Sequence, residues 1–172
     1  GWMSNWMYAN VVPTETWRNA MTIPRELKLK HVGKDIFISS KPVAELSKIQ
    51  SKPIIISNIK INNSIDVAAR LGKVIFPCRI NLSLEEIKDF SLVVSNDRGE
   101  ELVIGYDKKQ NQYFIDRSQS GKIDFQKEFA ARHVTPRFTA NKKMNISLLI
   151  DVSSVELFAD DGLSVMTEIF FP

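Results

Sequence analysis

Cysteine is almost missing from this chain: Cys78 is the only one among 172 residues. A lone thiol permits no internal disulfide and no cysteine-built metal site. Histidine is nearly as scarce, with His31 and His133 alone, and neither stands in an HxH or HxxxH spacing. Zinc takes three or four ligands drawn mainly from these two residue types. The pair therefore reads as solvated or capping histidines, and neither a metal nor a cofactor is expected. Glycine and proline number 7 each, too few for a collagen-like or linker-like chain. No apolar run approaches the roughly 20 residues that cross a bilayer as a helix, so no membrane partner is expected. One-signed charge is lacking as well: 23 basic against 20 acidic residues leave a net +3. The basic residues are spread along the chain with acids between them, a weak footprint for nucleic acid, which is excluded as a partner. No G-x-S-x-G elbow and no glycine-rich phosphate loop occurs.

What is present is apolar surface in short alternating runs. The chain is 44% hydrophobic and 25% charged, enough to bury a core and exclude wholesale disorder. Period-two alternation marks strands at Ile54–Ile61, Ile65–Arg70, Arg79–Leu84, Leu92–Ser95, Glu101–Tyr106, Gln112–Asp116, Asn145–Asp151, Ser154–Ala159 and Ser164–Phe170. Asn96–Gly99, Asp107–Asn111 and Asp160-Asp161-Gly162 separate neighbours in this series. The last carries Asp-Gly, which supplies the positive φ angles of a tight hairpin. Many short strands without intervening helices predict an all-β fold, an antiparallel β-sandwich. One stretch, Pro42–Ile49, places apolar residues at 43, 46 and 49 behind an N-terminal proline and predicts a short helix. It separates residues 1–40, which hold all three tryptophans, from the sandwich.

Candidate chemistry is thin. Glu85-Glu86, Glu100-Glu101 and Asp160-Asp161 are adjacent carboxylates. Neighbours on a strand point to opposite faces, so these read as solvated strand ends and turns. Asp116-Arg117-Ser118 reads as sandwich decoration, a cross-strand ion pair that contributes little to stability when exposed. The opening aromatics Trp2, Trp6, Tyr8 and Trp17 suit either strand packing or stacking against a sugar, and packing is the more ordinary use of such area. An opening so rich in aromatics reads as the interior of a folded element, with the rest of that element and any export signal lying upstream.

Gly1-Trp2-Met3-Ser4-Asn5-Trp6, followed by Pro13-Thr14, Trp17-Arg18 and Met21-Thr22-Ile23-Pro24-Arg25-Glu26-Leu27, resembles the end of the catalytic domain of glycoside hydrolase family 32, the family of invertases, levanases and inulinases. Asp116-Arg117-Ser118 and Ser154–Gly162 are similar to a "DRS" strand and to the closing hairpin of that family. The resemblance implies a five-bladed β-propeller followed by a β-sandwich. Residues 1–40 would be a remnant of the last blade, 41–52 a linker with a short helix, and 53–172 the C-terminal sandwich.

It also implies hydrolysis of fructosyl bonds with retention, which needs two carboxyls roughly 5–5.5 Å apart. The "NDPN", "RDP" and "EC" motifs that carry those groups in the family are not in this sequence, and Cys78 follows Pro77. No catalytic residue is therefore assigned. Trp6, in the "NW" position, is the one candidate substrate contact, conditional on the upstream blades; Trp2, Trp17, Arg18 and Arg25 are assigned to blade packing.

The expected role is a non-catalytic module supporting the propeller of a fructan or sucrose hydrolase. Its partners would be that propeller, the substrate of the parent, and a second copy paired through unpartnered N-terminal strands. An independent fructan-binding module, with Tyr106 and Tyr113 as its sandwich aromatics, and a protein–protein module are the competing readings. The family suggests secretion or the periplasm.

Overall fold

The computed structural model describes residues 1–72 and 76–172. Ten strands form three antiparallel sheets. Residues 1–22 are an irregular segment closed by a single bridge between Trp2 and Met21. A hairpin follows, β1 (Arg25–Val32) with β2 (Asp35–Pro42). A 3-10 helix at Ala44–Ile49 stands where the short helix is expected. After α1 (Val67–Leu71) come β3 (Cys78–Leu84), β4 (Phe90–Ser95), β5 (Glu101–Asp107), β6 (Gln112–Gln119) and β7 (Arg132–Pro136). The chain ends with β8 (Met144–Ile150), β9 (Ser154–Ala159) and β10 (Ser164–Ile169).

Two four-stranded sheets, ordered β10-β9-β8-β3 and β4-β5-β6-β7, face each other. The alternation read from the sequence fills the space between them. Leu102, Ile104 and Ile115 of one sheet meet Ile146, Leu148, Ile150, Val155 and Leu157 of the other in one apolar cluster. Tyr106 and Tyr113 belong to this cluster too, at 2% and 0% exposure. That excludes them as a sugar-stacking surface, because a ring packed between two sheets presents no face to a ligand.

Two strand expectations are overturned. Ile54–Ile61 joins no sheet, although its composition suits a strand. Ile65–Arg70 gives way to α1, because the Asp66 side chain accepts a hydrogen bond from Ala69 N at 2.8 Å and caps a helical turn. Aspartate three residues ahead of a free N–H is the usual start of a helix, and alanines within it favour continuation. The N-terminal strands are less orphaned than expected, since β1 finds its partner in β2.

A second, smaller apolar cluster ties residues 1–22 to the sandwich. Met3, Tyr8 and Val12 pack on Phe129, Ile169 and Phe171. The Tyr8 and Phe129 rings meet edge to face at 5.2 Å. Gly162, at φ 78°, lets the β9–β10 turn touch β2; a Cβ there would lie 2.3 Å from the Ser40 carbonyl oxygen.

Candidate binding cleft and the buried ion pairs

Three arginine–carboxylate pairs lie where elements meet, and each carboxylate is buried. In the first, Arg117 Nη1 of β6 stands 2.9 Å from Glu168 Oε2 of β10, with 2% and 11% of the side chains exposed. Arg117 also donates to the carbonyls of Phe129 (2.8 Å) and Ile169 (3.1 Å). Its guanidinium lies 3.9 Å from the centre of the Phe129 ring and 5.4 Å from that of Tyr8. Its Nε and Nη1 are thus answered by two carbonyls and a carboxylate, which is what makes a buried charge tolerable. His133 of β7 brings Nδ1 within 2.8 Å of Glu168 Oε1. Burial pushes the Glu168 carboxyl above the ordinary glutamate value, against the opposing pull of Arg117 and His133.

In the second pair, Asp160 of the β9–β10 turn accepts from Arg137 Nε at 2.9 Å and from the Tyr113 hydroxyl at 2.6 Å. Burial and the adjacent Asp160 raise the Tyr113 phenol far above its usual value, so it stays a hydrogen-bond donor. In the third, Arg25 reaches across from the start of β1 to Glu156 of β9 and to Thr167 Oγ1 of β10, the latter at 2.7 Å. Ile23 N donates to the other oxygen of Glu156 at 2.9 Å. These contacts bury the outward face of β9, whose inward face is already in the core.

Two expectations are corrected here. Arg117 is no exposed strand decoration: it is among the most buried side chains, and its partner is Glu168, 51 positions away (168 − 117), rather than the adjacent Asp116. Asp116 instead accepts from the Ser118 backbone and hydroxyl. Asp160 is likewise no solvated turn residue, at 7% exposure. Only Asp161 stays outside, clasped by Lys41 (2.9 Å) and Lys30 (3.1 Å) of the β1–β2 hairpin. Those two ammonium groups hold its carboxyl below the ordinary aspartate value.

The opening aromatics divide. Tyr8 is core, as packing predicts, but Trp6 is 88% exposed and Trp2 and Trp17 are 39% and 38% exposed. Trp2 and Trp6 meet edge to face at 5.2 Å, and Trp2 Nε1 donates to Asn19 Oδ1 at 2.7 Å. Beside them a cleft of about 450 Å³ opens between the N-terminal segment and the sandwich. Trp2, Asn5 and Met7 line one wall, and Glu128, His133 and Glu168 the other. Arg25, assigned from the sequence to blade packing, instead bridges to the sandwich, while Arg18 does stay within its own segment by donating to Val12 O at 2.9 Å.

The buried carboxylates of this arrangement are all engaged by arginines. Retaining glycoside cleavage needs one carboxyl free to exchange a proton and a second free to attack. The buried carboxylates Glu156, Asp160 and Glu168 each serve as the counter-ion of an arginine. Among the described residues, no group of three metal-ligating side chains comes together. Glu156 and Glu168 escape the sequence reading, and His133 is read there only as solvated or capping, because each is an ordinary polar position on an alternating strand. Their partners lie in the other sheet or in the N-terminal segment.

The family model described as Glycosyl hydrolases family 32 C terminal matches residues 45–172, and that of the Glycosyl hydrolases family 32 N-terminal domain matches residues 1–42. Levanase of Bacillus subtilis (strain 168) is 35% identical over 176 residues, covering 100% of this chain and 26% of the levanase. The extracellular exo-inulinase of Aspergillus awamori is 32% identical over 179 residues, covering 100% of this chain and 33% of that relative. The crystal structure of exo-inulinase from Aspergillus awamori superposes with a TM-score of 0.71 at 26% identity, over 100% of this chain and 34% of that one. The chain thus spans between a quarter and a third of the length of these relatives.

Proposed function

The chain belongs to glycoside hydrolase family 32, and on that premise we propose that it is the non-catalytic β-sandwich part of a fructan- or sucrose-hydrolysing enzyme, bracing the propeller that carries the chemistry. In this reading residues 1–40 are the end of the last propeller blade, 41–52 the linker, and 53–172 the supporting sandwich. The parent enzyme cleaves fructosyl bonds with retention through carboxylates outside this sequence.

The observation that carries the reading is the docking of residues 1–42 on the sandwich. Arg25 with Glu156, Lys30 and Lys41 with Asp161, and the Tyr8–Phe129–Phe171 aromatic cluster join the two. A joint that buries an ion pair and an aromatic cluster is one that holds two bodies in fixed orientation. A flexible tether would be polar and make few contacts. The test is incubation of the purified chain with sucrose, levan and inulin, followed by assay of free fructose. None is expected, and sustained release overturns the non-catalytic assignment.

Trp6 is the proposed substrate contact within the parent. Its 88% exposure favours a second reading, in which this chain holds fructan by itself. Calorimetric titration with levan- and inulin-derived oligosaccharides separates the two. A saturable isotherm abolished by Trp6→Ala establishes binding by this chain, and a flat trace leaves bracing as its role.

A further inference from the structure

A second cavity, of about 590 Å³ and open to solvent, shares no residue with the cleft beside Trp2. Three connections of the sandwich build it. Ile87 stands between β3 and β4, Lys108 and Asn111 between β5 and β6, and Lys142 between β7 and β8. Arg137, just after β7, lines it with only 4% of its side chain exposed.

The charge of this lining has one sign: it holds Lys108, Arg137 and Lys142 and no carboxylate. The carboxylates around it are occupied, Asp160 by Arg137, Glu86 by Lys88, and Asp89 by the Lys108 backbone N–H at 2.8 Å. Lys88 and Lys143 pair with Glu86 and Glu85, whereas Lys108 and Lys142 make no ion pair among the described residues. Arg137 also has donors to spare. Its Nε and Nη2 are taken by Asp160, the Tyr113 hydroxyl and the carbonyls of Asn141 and Lys143. Its Nη1 has no acceptor among the described residues, yet is not sealed in the interior. The guanidinium is a rigid fork, so fixing Nε and Nη2 fixes Nη1 as well.

The neutral polar groups, by contrast, are already used. Asn111 accepts from the Tyr106 hydroxyl at 2.7 Å and donates to the Arg137 carbonyl at 3.0 Å. Thr139 Oγ1 accepts from Asn141 N at 3.2 Å. Little is left to answer the hydroxyls of a neutral sugar. Unpaired cations remain, with apolar surface beside them on Ile87 and on Phe138, which is 37% exposed.

We propose that this cavity binds a phosphate monoester, its dianion held by Arg137 Nη1 and the ammonium groups of Lys108 and Lys142, and its carbon body resting on Ile87 and Phe138. Asp160 neutralises Arg137, so the two unpaired lysines match the two charges of the ester. Charge-assisted hydrogen bonds to phosphate oxygens are among the strong ones. One fixed arginine with two flexible lysines suits a tetrahedral group whose acceptors point several ways.

Amide NMR titration of the whole chain with phenyl phosphate, inorganic phosphate and phenol tests this. Phenyl phosphate is expected to move the amides of 106–111 and 138–142 with half-saturation below about 5 mM, less tightly as salt is added. Inorganic phosphate, lacking the apolar body, should bind at least about threefold more weakly, and phenol should leave these amides unmoved. Lys108→Gln and Lys142→Gln, at exposed positions that the fold does not depend on, should each weaken the ester about threefold. No saturation in that range overturns the proposal, as does an affinity unchanged in both variants. Phenol acting as strongly as its phosphate assigns the cavity to apolar ligands, and inorganic phosphate binding as tightly assigns it to the free ion; either result overturns the ester.

Discussion

The two sides of the sandwich solve the same problem with opposite means. Where β10 and β7 approach, two arginine–carboxylate pairs, each with a third polar partner, seal the gap between the sheets, and the N-terminal segment packs over the seal. Where β3 and β4 approach, no ion pair bridges them among the described residues, and the inward side chains stay half-covered. The closed side spends charge on geometry: a buried ion pair contributes little net stability but is costly to break. The open side keeps its backbone edge available. The difference teaches that the charged residues between these sheets mark where the molecule is locked, and the aliphatic edge marks where its core is least covered.

The largest effect is expected from breaking the lock itself. Arg117→Met leaves the buried Glu168 without its arginine, and about 3–5 kcal/mol of unfolding free energy should be lost in urea titration. A loss below about 1 kcal/mol, the size appropriate to the exposed Lys143–Glu85 pair, would erase the contrast between locked and surface pairs. Glycines sharpen it next. Gly162→Ala, at φ 78° with the Ser40 carbonyl in the way, is expected to cost at least about 2 kcal/mol. Gly99→Ala in the β4–β5 turn, at φ 76° with nothing within 4 Å, should cost only the backbone preference, about 1 kcal/mol.

Titration separates the buried lock from an exposed pair. Glu168 has a raised folded value, so its contribution is fully present below the ordinary glutamate value of 4.5. It is lost as pH rises through the raised one. Stability measured across that window should fall with rising pH and flatten in Glu168→Gln. Asp161 runs the other way. Its lowered value means a contribution present above 3.8 and lost as pH falls through the folded value. With 64% of its side chain exposed, this is worth less than about 1 kcal/mol and should shrink in salt. The smallest effect belongs to Trp6→Ala. An 88% exposed ring should change stability by no more than about 0.5 kcal/mol, so any loss of sugar affinity in that variant reports the contact alone.

Much of the sandwich was legible along the chain. The β8–β9–β10 run and the β5–β6 hairpin alternate cleanly because one face of each strand meets the core, and period-two alternation records that burial. The same rule misread Ile54–Ile61, since alternation and β-branching record suitability for pairing and cannot supply a neighbour. It misread Ile65–Arg70 as well, where a single aspartate cap outweighed the pattern. The site was less legible than the fold. Trp6, proposed through a motif, is exposed and is not among the residues that line the cleft. The opposite wall, with Glu128, His133 and Glu168, comes from positions that no local spacing connects.

Taken alone, the sequence determined the class of fold, the family, and the absence of its catalytic motifs from these 172 residues. Those properties are local: alternation, turn chemistry and contiguous motifs are complete within a few residues of one another. Only the tertiary structure decided that Arg117 answers Glu168, that Asp160 is buried while Asp161 is not, and that Tyr106 and Tyr113 are core. A charge or an aromatic ring carries the same side-chain chemistry on the surface and in the interior. Which of the two it occupies is set by partners distant in the chain, and those become neighbours only when the sheets close.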